Sequence, residues 1–405
     1  MRLSTQLINK GYKPELSEGS LVTPIFRTST FCFPNSQSGK RSFELAYQLD
    51  SPKNNEDPSL IYSRVNNPNM QILEERLAVL DNAEENAVFS SGMGAISNTC
   101  LTFLKPGDSV VFAEPVYGGT EFLFNNILPK YGICCHNLTI NESFYDNLNY
   151  LCKSVDNLKM IFIETPCNPL LKLLSIQKII EIKDQFNKDI LLVVDSTMIG
   201  PFNLSPLTLG ADIVVYSITK FIGGHSDLVS GGVSGNKKLL DQVKVTRTIF
   251  GTNPDPDTCW LIQRSLATLK LRMDQQCSNA KQIVRLLQEH RFISKVYYPG
   301  IDEDTLSIFK SEYNDSGSMI SFEIKGNLQQ AYQILNKFKI FKLAVSLGSV
   351  ESLVQHPSSM THSDMTLEQK KRAGISDTLI RMSIGLEDVE DLKEDLNTAL
   401  SYVIN

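Results

Sequence analysis

Lys220 has an unusual setting in the sequence VVYSITKFIGGHSDLVSGG, which covers residues 214–232. The lysine follows an apolar run typical of a buried strand, with Ser217 and Thr219 before it and a glycine pair after it. A lysine on a solvated loop needs no such neighbours, whereas a lysine at the ligand edge of a sheet can form a Schiff base with an aldehyde. The two hydroxyl groups can donate to a phosphate. If Lys220 forms a Schiff base with an aldehyde cofactor, these hydroxyl groups could hold a phosphate of that cofactor.

An aldehyde held in this way needs further partners, and the sequence offers a candidate for each. Asp195 ends the apolar run ILLVVD, and a carboxylate buried there needs a cation such as a protonated ring nitrogen. Tyr117, in PVYGGT, lies among glycines that permit close approach, so its ring can stack on a cofactor ring. The turn SSGMG precedes a helical pattern, and its backbone N–H groups can bind phosphate at a helix N-terminus. Each feature alone has an ordinary structural explanation, but their combination favours a shared site.

These candidates fall at the ends of short apolar runs that alternate with helical patterns between about residues 73 and 215. Continuous apolar strands separated by helices predict a mostly parallel sheet with helices on both faces. Ligands bind beyond the carboxyl ends of such strands. An α/β fold would thus bring residues that are far apart in sequence to one edge of the sheet.

The sequence also predicts a division into three regions. Residues 1–65, which are polar and include a stretch rich in Ser, Asn and Pro from 35 to 59, are interpreted as an arm or lid. Residues 66–262 contain the strand and helix pattern of the cofactor-binding domain. Residues 263–405 begin with a long helical stretch and are predicted to form a smaller α/β domain.

Composition argues against several classes of protein. The net charge of -6, without a concentrated basic run, argues against nucleic acid and anionic membrane surfaces as partners. Eight cysteines without a CxxC pair indicate neither a zinc ribbon nor a disulfide framework. No run approaches the roughly 20 apolar residues of a membrane-spanning helix. The N-terminus also lacks the apolar core of a secretory signal, so the cytoplasm is the predicted location.

Other enzyme classes fit the sequence less well. The five histidines show no close ligand spacing such as HExxH, which argues against a metal hydrolase and predicts no metal site. The turn SSGMGA lacks the third glycine of a dinucleotide-binding motif. A non-catalytic binding protein would require loss of Lys220 or Asp195, and both are present.

The order of these residues resembles that of the pyridoxal-phosphate enzymes of cysteine and methionine metabolism. The resemblance covers nearly the whole chain, through the motifs TPIFRTSTF, YSRVNNPN, SSGMGA, VYGGT, ETPCNP, VVDST, SITKFIGGHSD, SLGSVESLVQHPSSMTHSD and LIRMSIGLED. It implies fold type I, with a mostly parallel central sheet and a smaller C-terminal α/β domain. It also implies that pyridoxal 5'-phosphate is the cofactor and that Lys220 is its Schiff-base lysine.

The resemblance assigns further cofactor contacts. Tyr62 and Arg64, in YSRVNNP, match a pair that reaches into the phosphate site of a neighbouring subunit. They imply a homo-oligomer, for this family usually a tetramer built from dimers. Gly92 and Met93 match residues whose backbone amides bind the phosphate, and Asn168 matches a residue that bonds to the ring oxygen of the cofactor.

The resemblance also implies the reaction. Ser346 and Arg381 match the site for the α-carboxylate of an amino acid substrate. The expected catalytic residues are Lys220, which removes the α-proton, Asp195, which keeps the ring protonated, and Tyr117, which assists proton transfer. The implied activity is γ-elimination on methionine or cystathionine, giving 2-oxobutanoate, ammonia and a thiol.

One fold hosts several such reactions, so the fold does not choose among them. The alternative is γ-replacement on O-acylhomoserine, as in a cystathionine γ-synthase or a sulfhydrylase. The segment SLVQHPSSMTHSD favours the methionine γ-lyases, whereas Gly119 stands where those enzymes commonly have a cysteine. The sequence therefore leaves open whether methionine or cystathionine is the preferred substrate.

Overall fold

The computed structural model describes residues 1–47, 49–53, 59–186, 189–363 and 365–402. The strands of these residues are β1 (Glu85–Phe89), β2 (Ser109–Glu114), β3 (Cys134–Thr139), β4 (Leu158–Glu164), β5 (Leu191–Asp195), β6 (Ile213–Tyr216), β7 (Gly231–Gly235), β8 (Ile293–Tyr297), β9 (Met319–Ile324), β10 (Lys342–Leu343), β11 (Leu353–Gln355) and β12 (Leu379–Ser383). The α-helices are α1 (Leu3–Asn9), α2 (Ser36–Ala46), α3 (Pro68–Leu80), α4 (Gly92–Phe103), α5 (Gly118–Phe122), α6 (Phe144–Ser154), α7 (Ile176–Asp184), α8 (Lys237–Phe250), α9 (Pro256–Leu266), α10 (Leu269–Glu289), α11 (Leu306–Glu312), α12 (Leu328–Leu335), α13 (Leu367–Ala373) and α14 (Val389–Ser401).

The larger sheet has the strand order β1-β7-β6-β5-β4-β2-β3. Strands β3, β2, β4, β5 and β6 are parallel neighbours, whereas β7 runs antiparallel to both β6 and β1. The predicted mostly parallel α/β sheet is thus confirmed. The carboxyl ends of β2, β4, β5 and β6 lie at one edge, where the sequence places Tyr117, Asn168, Asp195 and Lys220.

Both faces of this sheet are buried, which explains why its strands read as continuous apolar runs. Along β4, Ile161 and Ile163 belong to one buried cluster, and Met160 and Phe162 belong to another. Helices α6 and α7 contribute to the first cluster, and α4 and α8 to the second. The central strands are therefore fixed on both sides, and their ends are rigid platforms for the site.

Strand β7 was missed by the sequence pattern because it is glycine-rich, GGVSG, yet it is fully buried between two neighbours. A Cβ at Gly232 would lie 2.5 Å from Cε2 of Tyr216 on the adjacent strand, so the glycine permits the close approach. Strand β3 was also missed. It is an edge strand with mostly exposed or half-buried residues, so it lacks an apolar signal.

The second sheet has the order β10-β11-β12-β9-β8 and packs with α10, α12 and α14 around its own core. The long helical stretch consists of two helices, α9 and α10. The predicted junction between residues 262 and 263 falls inside α9, and the division into domains stays a prediction. Within residues 35–59 the structure forms α2, while 48 and 54–58 lie outside the described residues. No helix in the described ranges is long and apolar enough to cross a membrane.

Candidate active site

The Lys220 side chain follows β6 and is largely removed from solvent. Its Nζ donates a hydrogen bond to Oγ of Ser346, at 2.9 Å, from the segment between β10 and β11. Burial, together with the Arg381 cation, lowers the pKa of Lys220 to about 8. A larger fraction of this amine is therefore neutral at physiological pH than of an exposed lysine. The neutral amine is the form that attacks an aldehyde or accepts a proton.

Asp195 is the last residue of β5 and is 4% exposed. Its Oδ1 accepts hydrogen bonds from the backbone N–H and the hydroxyl of Thr197, at 2.9 and 2.6 Å. The Thr197 hydroxyl oxygen also accepts from the backbone N–H of Ser217, at 2.9 Å, which links Asp195 to the segment before the lysine. Burial raises the pKa of Asp195 to about 6. A protonated ring nitrogen beside this carboxylate would offset the cost of its burial.

The N-terminus of α4 and the Ser217 side chain form a cradle for an anion. Ser91 caps the helix, because its side chain accepts from the backbone N–H of Gly94 at 2.9 Å. A Cβ at Gly92 would lie 3.0 Å from Cβ and 3.2 Å from Oγ of Ser217. The glycine therefore lets the hydroxyl approach the helix N-terminus, where backbone N–H groups favour negative charge.

The hydroxyl group of Thr219 forms hydrogen bonds with the backbone of Ser230. This hydroxyl donates to the carbonyl of Ser230 at 3.1 Å and accepts from the N–H of the same residue at 3.0 Å. The hydroxyl proton is thus directed at the backbone in this structure. The predicted bond from Thr219 to a phosphate requires that proton to turn away from Ser230, and it stays a prediction.

Tyr117 stands at the start of α5 and is 45% exposed. Its ring lies close to Gly119, where a Cβ would be 2.7 Å from Cε1 of the tyrosine and 3.1 Å from Sδ of Met93. With the ring in this position, no larger side chain fits at 119. The absence of a side chain at Gly119 therefore lets Tyr117 and Met93 pack close to each other.

Arg381, on β12, is 4% exposed. It donates from Nη1 to Oδ1 of Asn168 at 2.8 Å and from Nη2 to the carbonyl of Ser346 at 2.9 Å. The Gln355 amide, oriented with its oxygen toward the guanidinium, accepts from Nε and Nη2 at 3.0 Å. Burial lowers the pKa of Arg381 to about 10, so it remains a cation at neutral pH. Because Asn168 presents its oxygen to Arg381, its Nδ2 is the atom that could donate to a ring oxygen.

Two residues of this site were missed by sequence reasoning. Gln355 holds the guanidinium of Arg381, and nothing in its local sequence marks it. Glu164 ends β4 and is the register partner of Asp195 on the neighbouring strand. Its position at the same strand edge in the motif ETPCNP was the signal that could have identified it.

Tyr62 and Arg64 lie elsewhere on the chain's surface. Arg64 donates from Nη1 to the carbonyl of Thr248 at 2.6 Å, and its guanidinium lies 5.8 Å from the centre of the Tyr62 ring. Both line a cavity of about 350 Å³ together with residues 251, 253–256 and others. Within the described part of the chain, no hydrogen bond joins either residue to Gly92 or Ser217. Their predicted role at a neighbouring subunit's phosphate stays a prediction.

The residues around Lys220 fit pyridoxal phosphate. The cradle at Gly92 and Ser217 suits a phosphate, the buried Asp195 suits a protonated ring nitrogen, and the Lys220 amine suits an aldehyde. In the described ranges no group of three or more His, Cys, Asp or Glu side chains could hold a metal ion.

The fold and this site define a pyridoxal-phosphate enzyme of fold type I. The chain belongs to the Cys/Met metabolism PLP-dependent enzyme family, whose model matches residues 4–401. It is 40% identical to an L-methionine gamma-lyase of Fusobacterium nucleatum subsp. polymorphum, over 99% of this chain and 98% of that protein. It is 38% identical to a cystathionine beta-lyase of Lactococcus lactis subsp. cremoris, over 98% of each chain. The solved cystathionine gamma synthase of Xanthomonas oryzae pv. oryzae superposes with a TM-score of 0.90 at 33% identity, over 100% of this chain and 99% of that one.

Proposed function

We propose that this protein is a carbon–sulfur lyase that performs γ-elimination on methionine or cystathionine and releases 2-oxobutanoate, ammonia and a thiol. The observation that carries the proposal is the contact between Lys220 and Ser346, at 2.9 Å. Because the carbonyl of Ser346 also accepts from Arg381, the reactive amine and the carboxylate-binding guanidinium are adjacent. The amine and the guanidinium must be close together, because an α-amino acid carries its α-proton and its α-carboxylate on the same Cα.

The side chains divide the work of the reaction. Arg381 binds the α-carboxylate, for which its planar guanidinium is suited. The neutral amine of Lys220 accepts the proton from Cα, and its lowered pKa places it near the pH at which a general base is efficient. Tyr117 serves proton transfer near the departing sulfur. When bound, pyridoxal phosphate withdraws electrons from Cα and so makes the α-proton acidic, and Asp195 favours the protonated ring that does this.

Methionine is the first substrate to test, because the curated relatives of this chain include L-methionine gamma-lyases at 40 and 39% identity over nearly the full length. Cystathionine is the second. Gly119 leaves the Tyr117 ring packed toward Met93, and this packing shapes the space beside the tyrosine. The size of the group on sulfur is therefore the property that we expect to distinguish the two substrates.

γ-Replacement on O-acylhomoserine is the alternative function. It is favoured by the likeness to the solved cystathionine gamma synthase, which covers the whole of this chain. The two reactions share their early proton transfers and differ in whether water or a thiol completes the reaction. The site residues described above serve both reactions, so product analysis must separate them.

We also infer that the chain works as a homo-oligomer in which Tyr62 and Arg64 complete the phosphate site of a neighbouring copy. Tyr62 is 42% exposed, and the exposed Ile249 and Phe250 follow Thr248, the residue that Arg64 contacts. Exposed apolar side chains grouped beside charged ones are typical of protein interfaces. The tetramer built from dimers and the cytoplasmic location stay predictions.

Separate incubations with methionine, with cystathionine, and with O-acylhomoserine plus cysteine test the function by mass spectrometry. We expect 2-oxobutanoate from methionine or from cystathionine and no net formation of cystathionine. Pyruvate and homocysteine from cystathionine would indicate β-elimination instead. Net synthesis of cystathionine would establish γ-replacement and overturn the proposal. Lys220→Ala should abolish every product, whereas Lys270→Ala, on the surface of α10, should retain them.

A further inference from the structure

Glu164 is a buried carboxylate at the centre of the candidate site. It ends β4, is 2% exposed, and stands directly beside Asp195, its register partner on β5. A carboxylate removed from water is costly unless its oxygens are satisfied. The bonds that satisfy Glu164 therefore indicate what this carboxylate does in the structure.

The two oxygens of Glu164 hold two different loops. Oε2 accepts from the backbone N–H of Tyr117, at 3.0 Å, on the loop after β2. Oε1 accepts from the backbone N–H of Asn168, at 2.6 Å, on the loop after β4. Each bond fixes the backbone of a residue whose side chain faces the site. A single carboxylate thus sets the positions of Tyr117 and Asn168 together.

The bond between Glu164 and Asn168 is connected to Arg381, the residue assigned to the substrate carboxylate. Oδ1 of Asn168 accepts from Nη1 of Arg381 at 2.8 Å. Asn168 therefore links Glu164 to the guanidinium through hydrogen bonds. Arg381 also acts electrostatically on Glu164, since its positive charge favours the ionised carboxylate. Burial and the adjacent Asp195 act in the opposite direction and raise the pKa of Glu164 to about 8.

We propose that Glu164 is a positioning residue that couples the placement of Tyr117 to that of Arg381 and thereby sets the affinity for the amino acid substrate. The substrate part rests on the proposed function. Above its pKa of about 8, Glu164 is an ionised carboxylate that presents an acceptor on both sides, whereas the amide of a glutamine of the same shape presents one acceptor and one donor. In Glu164→Gln one of the two backbone N–H groups faces another donor, and one loop is released.

The first test follows the two loops directly, without any substrate. Hydrogen exchange is measured at about pH 9, above the pKa of Glu164, by mass spectrometry on the full chain, with and without pyridoxal phosphate, in peptides that cover residues 115–120 and 165–170. Glu164→Gln should speed exchange of at least one of these two peptides about tenfold or more, because its N–H loses a charged acceptor. Unchanged exchange in both peptides would overturn the proposal.

The matched control is Asp395→Asn. Asp395 is also buried and accepts from the backbone N–H groups of Lys339, Ile340 and Phe341, all in the second α/β unit. Its substitution should speed exchange around residues 339–341 and leave the two loops unchanged. The control thus separates the loss of any buried carboxylate from the loss of Glu164.

The second test separates positioning from a merely structural role. With a sulfur amino acid that the enzyme turns over, Glu164→Gln should raise KM about 10- to 100-fold with a smaller change in kcat, since a misplaced Arg381 weakens binding of the carboxylate. An unchanged KM, with or without a fall in kcat, would overturn the proposal. If the wild-type protein turned over no sulfur amino acid, the proposed function would fail. The exchange experiment would still decide whether Glu164 positions the two loops.

Discussion

At the scale of single residues, Lys220 shows how burial prepares a common side chain for chemistry. Its pKa of about 8 makes the neutral amine half populated at that pH. Attachment of pyridoxal phosphate to the cofactor-free protein should therefore become about fivefold faster from pH 7 to 8 and level off above pH 9. Stopped-flow absorbance of the lysine-linked cofactor measures this rate. A rate that keeps rising tenfold per pH unit to pH 10 would indicate an ordinary lysine, and Lys220→Ala should give no band.

Asp195 gives a prediction on stability. Its pKa is raised to about 6 in the folded protein and is about 4 when unfolded, so the folded cofactor-free protein binds more protons between these values. Stability is therefore lost as pH rises through 6. Between pH 5 and 7.5 Asp195 contributes on the order of 1 kcal/mol of this loss, to which the raised pKa of Glu164 adds, and Asp195→Asn should make the loss smaller. Urea unfolding at both pH values measures the difference, and a variant that kept the full loss would contradict the assignment.

The residues also differ in how far sequence could predict them. Lys220 and Asp195 follow apolar strands, so the pattern alone placed them at a ligand edge. In its sequence pattern Arg381 cannot be told from a charged residue on the solvent side of a strand. Only the resemblance to a family predicted its role. Its burial depends on Asn168 and Gln355, which come from other parts of the chain. Such contacts are set by tertiary packing and leave no local signal.

At the scale of elements, the start of α4 carries the phosphate cradle. In Gly92→Ala the new Cβ would lie 3.0 Å from Cβ of Ser217, closer than such contacts normally are, and the helix N-terminus would have to move. We expect the dissociation constant of pyridoxal phosphate to rise about tenfold, which corresponds to loss of about one hydrogen bond. Fluorescence titration of the cofactor-free protein measures it. Thr102→Ala, near the other end of the same helix, is the control, and an equal effect there would contradict the cradle.

Strands were predicted where burial was reflected in an apolar sequence. Strands β4, β5 and β6 are buried on both faces and gave clear apolar runs. Strand β7 is equally buried, but glycines replace its side chains to admit Tyr216, and so it left no pattern. The segment 257–290 was taken as one helical stretch, and the break at residues 267–268 was not predicted. Hydrophobic periodicity therefore does not reveal close backbone packing or short breaks between helices.

At the scale of the whole molecule, the chain exposes apolar side chains that a second copy could cover. Leu16, Leu21 and Val22 of the N-terminal region are 78, 87 and 58% exposed, and Tyr62 and Phe250 are also open to solvent. Exposure of these apolar side chains to water favours their burial against a second copy. It supports an assembly in which these surfaces are buried and in which Tyr62 and Arg64 meet a partner's site.

Coexpression of two inactive chains tests whether Arg64 acts on a partner. A hybrid dimer of Arg64→Ala and Lys220→Ala chains has one site with both residues intact if Arg64 acts in trans, and none if it acts within its own chain. Random pairing should then restore about a quarter of the wild-type activity, since half of the dimers are hybrids and half of their sites are competent. The control pairs Lys220→Ala with Asp195→Asn. Both of these residues serve the site of their own chain, so this hybrid has no intact site. Recovery in the Arg64 mixture no greater than in this control would show that Arg64 does not complete a neighbouring site.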